Sequence, residues 1–374
     1  MLYIFTAFIL YMQSILVLYK RSIFNITFAN ILLIFIIGGK YYNAWDWVNY
    51  QSYFTCIYDY SFLDSFNECK DISHFEAGFI ALIKLVQYFG FSINILYILI
   101  AIINVLSLSF FIKTLKIKYW AYIYTAFFLI FSWALWMQAL RQGLAFSLVL
   151  IGLSLLFRQR TFLAIFSFII SLLFHFSSII IIPFILYFWL KGKSRLILLL
   201  IFVILAIPFL YLSFDFIYSK FNSYTENTAY NAVANMSTWL KYIVYLLIYY
   251  VIKINRNDIL HNQYNYLLFK LYTLGIVLYP IFSLLIITTR FNLYFMPFAF
   301  VLLAQINNTR QKLWILNICV CIFISFLSSI NTRVDLLPFN NYFIDRYLLN
   351  NNFDYNEQKY ILEQKQYKND VIVE

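Results

Sequence analysis

The chain has 374 residues; 63% are hydrophobic, 11% are charged, and 27 Lys and Arg against 16 Asp and Glu give a net charge of +11. The apolar runs between the charges leave no polar stretch long enough to fold alone, which excludes a soluble globular enzyme and points to a polytopic membrane protein. Sidedness and an anionic leaflet of membrane lipids account for the surplus cations, and no nucleic acid is expected as a partner.

Apolar runs at roughly 2–19, 22–38, 91–112, 119–137, 141–157, 161–174, 176–190, 195–212, 239–253, 263–287, 291–307 and 313–330 predict about twelve crossings, several shorter than the usual ~20 residues. The expected fold class is all-α: a polytopic transmembrane helical bundle of about 11–12 crossings, counting short or re-entrant helices, with one outer amphipathic helix. Residues 1–345 are expected to form the membrane-embedded domain and 346–374 a polar, flexible tail. The first run lacks a basic start and a small-residue cleavage site, so it reads as a retained helix.

Charge sets the orientation. The gaps holding Lys20-Arg21, Lys113-Lys116-Lys118, Arg158-Arg160, Lys191-Lys193-Arg195, Lys253-Arg256 and Arg310-Lys312 contain 14 basic residues and one acid, Asp258, and are expected to be cytoplasmic. Asp46, Asp59, Asp64, Glu68, Asp71 and Glu76 crowd one segment that is then outside. By parity both termini face outward.

That outer segment begins where Gly38-Gly39 ends the second helix. In Tyr41-Tyr42-Asn43-Ala44-Trp45-Asp46-Trp47-Val48-Asn49-Tyr50, Asp46 and Tyr50 lie one helical turn apart. A carboxylate beside a phenol and indoles suits a carbohydrate; an interfacial aromatic belt with a solvated aspartate is the other reading. Ser73-x-x-Glu76 has the spacing of a capping box opening a helix at 74–90, so Glu76 reads either as a cap or as a catalytic or ligand-binding group. That helix carries Lys84 and Gln87, and it is expected to lie along the outer interface because only one of 74–90 and 91–112 can cross. Cys56 and Cys69 share the same loop, where a disulfide can form, whereas Cys319 and Cys321 read as packing residues in the last crossing.

Arg141, Arg290 and, when protonated, His175 are cations at the ends opposite the basic gaps. Arg141 opens the fifth crossing in Met137-Gln138-Ala139-Leu140-Arg141-Gln142-Gly143, and Arg290 stands before Phe291-Asn292-Leu293-Tyr294 at another outer boundary. His175 lies near the centre of 161–190, an interval that must cross twice because basic gaps flank it on both sides. A guanidinium at such a place requires water, a carboxylate or an anionic ligand, and two arginines with a histidine fit a pyrophosphate bound through bidentate forks. Snorkelling to headgroup phosphates is the other reading for each arginine.

Elsewhere the sequence offers little chemistry. No Gly-rich phosphate loop, His-Glu-x-x-His or Cys-x-x-Cys occurs, so neither a metal site nor a cofactor is expected, and His261 falls in a cytoplasmic gap. The loop from Phe214 to Thr238 is long enough for a lid, and Pro338-Phe339-Asn340-Asn341-Tyr342-Phe343 is expected to lie on the membrane surface.

Asp46-x-x-Asn49-Tyr50 after a Gly-ended helix, Phe75-Glu76-x-Gly78-Phe79, Arg141-Gln142-x-Leu144-Ala145, Phe174-His175-x-Ser177 and Arg290-x-x-x-Tyr294, in that order, resemble the EpsG-like branch of the Wzy-type polymerases over roughly residues 38–345. The resemblance implies a glycosyltransferase of the bacterial inner (plasma) membrane that polymerises undecaprenyl-diphosphate-linked oligosaccharide repeat units into O-antigen, capsule or exopolysaccharide on the outer face. Donor and acceptor are then both lipid-linked oligosaccharides, and a chain-length regulator is a fitting partner. Fixed cations near the departing diphosphate lower such a barrier most, so Arg141 and Arg290 are assigned that role. His175 ranks first as general base and Asp46 second, while Tyr50, Glu76, Gln142 and Tyr294 are assigned to substrate binding. Alternative readings are an O-antigen ligase, a flippase or transporter of lipid-linked oligosaccharide, and an acyltransferase of surface glycans; no internal repeat of the transporter kind is visible.

Overall fold

A computed structural model describes residues 2–41, 46–69, 75–190, 192, 236–260, 262–283, 290–330, 340–342 and 344. The described chain is helical apart from one two-residue antiparallel ladder, β1 (Lys40–Tyr41) with β2 (Asn340–Asn341). It divides into two units, Met1–Phe176 with Leu313–Glu374, and Ser177–Lys312.

The first unit holds α1 (Leu2–Leu18), α2 (Ile26–Gly38), α3 (Trp47–Cys56), α4 (Asp64–Glu68), α5 (Ala77–Tyr88), α6 (Ile93–Thr114), α7 (Trp120–Ile130), α8 (Leu140–Phe157) and α9 (Thr161–Phe174). Among the described residues α6, α8 and Gln263–Phe282 are long and apolar enough to cross a membrane, and α7 with the π-helix Ser132–Gln138 is a fourth candidate bent by 71°. Shorter apolar helices accompany them, α1, α2, α5 and α9 among these. This is the architecture of a polytopic helical membrane protein.

Polar residues tie these apolar helices together, as they do where lipid offers no hydrogen bonds. Asn30 of α2 donates to Ser109 of α6 at 3.2 Å and accepts from Tyr124 of α7, while Ser147 of α8 donates to Asn104 of α6 at 2.8 Å. Ser14 and Thr125 meet at 2.6 Å between α1 and α7.

Helix direction sorts the charges by end. Arg158, just past α8, donates to Thr114 at the end of α6 at 3.2 Å, so these helices run parallel. Phe24 and Trp120, ahead of α2 and at the start of α7, approach to 6.4 Å. Lys20, Arg21, Lys113, Lys116, Lys118, Arg158 and Arg160 therefore gather at one end of the unit. The end of α2, the start of α5, the start of α8 and the end of α9 lie at the other.

The continuous crossing expected at 119–137 is instead broken at Phe131. Gly143 accounts for it: a Cβ there would stand 2.0 Å from the Leu135 carbonyl oxygen, so the π-helix folds back against the first turn of α8 only because that atom is missing. The helix expected at 74–90 runs over Ala77–Tyr88 and that at 176–190 is a 3₁₀ turn, Phe176–Ile180, followed by α10 (Ile182–Trp189). In the second unit α11 (Met236–Ile254), α12 (Arg256–Ile259), α13 (Gln263–Phe282) and α14 (Phe298–Leu303) follow α10. Its buried Asn265 is held by Gln305 at 2.7 Å and the Ile259 carbonyl at 2.8 Å. The run expected at 291–307 is here a 3₁₀ turn, Arg290–Tyr294, and then α14, with Pro297 at the α14 N-cap. The expected crossing at 195–212, Ser73, His261, the polar tail and most of the 214–238 loop lie outside the described residues.

Candidate active site

Glu76 does not cap α5 from within. The helix starts one residue later, Glu76 takes the N-cap place with extended backbone (φ −74°, ψ 152°), and its side chain makes no capping bond. The carboxylate bridges two partners: Arg141 Nη1 donates to Oε2 at 2.5 Å, and His175 Nδ1 lies 2.8 Å from Oε1. The Phe176 backbone N–H also approaches Oε1, at 3.4 Å.

Close backbone approach makes this meeting possible. A Cβ on Gly78 would lie 2.8 Å from the carbonyl oxygen of Leu173, so α5 touches α9 through bare backbone two residues beyond Glu76 and two before His175. The side chains of Arg141, Glu76 and His175 are 21%, 22% and 22% exposed, enough for a ligand to reach them. Burial by itself would raise the Glu76 carboxyl, but the hydrogen bond to His175 and the Arg141 charge outweigh it and hold it at about 2. An ionised carboxylate only accepts, so Nδ1 carries the proton and a neutral His175 has its lone pair on Nε2.

Arg141 sits in the first turn of α8, its guanidinium 4.4 Å over the Phe75 ring. Tyr50, from α3, serves that helix as a cap supplied from outside: its hydroxyl accepts the Leu140 N–H at 3.1 Å and lies 3.5 Å from the Gln138 carbonyl. Asp46 starts α3 one turn before Tyr50, half-buried, with Lys40 in its electrostatic field. Gln142 is 1% exposed, inside the packed wall of α8.

Arg290 and Tyr294 belong to the second unit, on the 3₁₀ turn Arg290–Tyr294, where the buried Tyr294 hydroxyl meets Ser177 Oγ at 3.0 Å. The structure thus brings together Glu76, Arg141, His175 and Tyr50, with Asp46 one turn from Tyr50. Two participants had no role assigned from the sequence. Phe75 is the platform under Arg141, and Lys40 is 1% exposed with Nζ donating to the Met137 carbonyl at 2.8 Å. Aromatic residues are too common here for Phe75 to stand out, and Lys40 looks like an ordinary loop cation.

The segment leading into the site is pinned. A disulfide joins Cys56 and Cys69. Lys84 of α5 donates to the carbonyls of Ile57 and Tyr60, and Gln87 to that of Phe54 at 2.6 Å. The polar residues of an otherwise apolar α5 thus bond backbone carbonyls in the last turn of α3 and just beyond it. Among the described residues no group of three or more His, Cys, Asp and Glu could hold a metal ion.

A carboxylate that orients an imidazole, beside a fixed guanidinium, can take a proton from a hydroxyl and steady an anion. No curated protein and no solved structure matches the chain. The sequence model of the EpsG family matches residues 23–344, a stretch that contains the whole Glu76 cluster, and the chain belongs to that family, whose role is of the membrane polysaccharide polymerase type.

Proposed function

We propose that the protein is a metal-independent glycosyltransferase that joins undecaprenyl-diphosphate-linked oligosaccharide repeat units into a surface polysaccharide on the outer face of the bacterial plasma membrane. The observation that carries the reading is the Glu76 carboxylate held between Arg141 and His175. An acceptor sugar hydroxyl attacks the anomeric carbon of the growing glycan, the new C–O bond forms as the bond to the diphosphate breaks, and the hydroxyl proton passes to His175 Nε2. Glu76 fixes the ring and steadies the imidazolium. Negative charge builds on the departing undecaprenyl diphosphate, where Arg141 lowers the barrier.

The outer placement is supported from two directions. The end rich in Lys and Arg is the cytoplasmic one by the positive-inside rule, which puts the Glu76 cluster opposite. The Cys56–Cys69 disulfide suits an oxidising compartment.

The test is a deletion strain complemented with Arg141→Ala, His175→Ala or Arg290→Ala and its surface polysaccharide sized on a gel. Each variant should show single repeat units without a ladder. Full-length ladders from all three, with normal amounts of protein, would overturn the reading. Repeat units trapped inside the cell would point to a flippase, and polymer left on its lipid carrier to a ligase.

A further inference from the structure

Among the described residues, Lys40 is a cation at the site end that is 1% exposed and so out of a substrate's reach. It follows α2 in β1, where it pairs with Asn341, and the next residue back, Gly39, accepts the Tyr342 N–H. Its ammonium donates to the Met137 carbonyl, lies 4.5 Å from the Tyr97 ring centroid and 5.6 Å from that of Tyr50. Burial pushes it down to about 7 against the pull of Asp46, so keeping this charge away from water is costly.

The contacts show what offsets that cost. Met137 belongs to the last turn of the π-helix, whose final carbonyls have no helical partner because Ala139 breaks the path before α8 begins. Lys40 takes the Met137 carbonyl, Tyr50 lies against the Gln138 carbonyl and caps Leu140, and Arg141 is the next residue. The longer of the two cation–π contacts ties the ammonium to Tyr50 itself, and the closer one ties it to Tyr97 of α6.

We propose that Lys40 is a positioning residue: with Tyr50 it clamps the junction between the π-helix and α8 and so aims Arg141 at the reacting diphosphate. The clamp follows from geometry alone, while its effect on turnover rests on the polymerase reading above. Lys40 touches no substrate. It acts through a backbone segment of four residues, where a displacement of about 1 Å can cost on the order of 100-fold in rate.

The experiment is a double-mutant cycle in purified full-length protein, with polymer formed from lipid-linked repeat units as the readout and Arg141→Ala as control. Lys40→Met should lower the rate at least tenfold and Tyr50→Phe several-fold. The double variant should fall no further than the worse single, because both remove parts of one clamp. Losses that multiply, or a Lys40→Met protein as active as wild type, would overturn the proposal. If Lys40→Met does not accumulate, Lys40→Gln enters the same cycle and is judged the same way. Hydrogen exchange gives a second readout that needs no assumed activity: amides of 132–142 should exchange at least tenfold faster in the Lys40 variant while those of α9 do not change, and unchanged exchange at 132–142 refutes the clamp. An active Arg141→Ala protein would instead defeat the polymerase site, leaving the exchange result to decide the clamp.

Discussion

The Glu76 carboxylate meets the His175 imidazole at 2.8 Å across a sequence separation of 99 residues. Its other oxygen holds Arg141, 65 residues away, so a single acid organises two helices around one point. Glu76→Gln keeps the shape and an acceptor but removes the charge that fixes the histidine tautomer. Polymer formation should fall about 100-fold or more, the scale of general-base catalysis, while the protein still accumulates. Initial rates on purified protein check this.

Acid stability carries the same signature. The folded Glu76 carboxyl is held at about 2, below its ordinary 4.5. Its contribution is therefore complete above about pH 4.5 and is lost as pH falls toward about 2, with on the order of 3 kcal/mol at stake. Thermal midpoints in detergent should drop through that window in the wild type. In Glu76→Gln the drop should be shallower, and equal slopes would disprove the linkage.

Gly78→Ala tests whether helix contact sets the site. The added methyl must displace the Leu173 backbone, at 2.8 Å, and the strain of such overpacking is typically about 1–3 kcal/mol. Because α5 and α9 part just where Glu76 and His175 meet, activity should fall further than the loss of stability explains. Comparing rate and melting temperature for Gly78→Ala and for Ala77→Ser, a change in the same turn, separates the two effects.

Arg141→Lys asks whether charge or shape matters. Lysine keeps the charge yet cannot hold Glu76 and a phosphate oxygen through one planar fork, nor lie flat on Phe75. A loss of at least tenfold in the polymer assay is expected, close to that of Arg141→Ala; near-normal activity would show that a point charge suffices.

Removing the disulfide with Cys56→Ser and Cys69→Ser should cost about 3 kcal/mol, the value for a loop of this size, seen as a lower melting temperature. Lys84 and Gln87 still hold the segment's carbonyls, so polymer formation at low temperature should persist.

Much of this was legible in the order of residues. Apolar runs fix helices because burying a run in lipid is a local, additive matter, and α1, α6, α8 and α9 fall within two residues of the expected ends. The loop cations of the first unit, from Lys20 to Arg160, gather at one of its ends as the sequence spacing suggested. The partners of Glu76 were not legible: Ser73-x-x-Glu76 read equally as a capping box, and nothing in the local sequence tells whether a carboxylate will turn to its own helix or to an arginine and a histidine on two others. The break at Phe131 was also hidden, since hydropathy runs smoothly through Ser132-Trp133-Ala134-Leu135 while the cause, Gly143, lies eight positions past Leu135 on the next helix.

By itself the sequence determined a polytopic helical membrane protein, because transfer free energies depend on each segment's own composition. Only the tertiary structure decided that Arg141, Glu76 and His175 form one cluster and that Lys40 is sealed beneath it, because those contacts arise where backbones freed of a Cβ pack closely enough for distant side chains to meet.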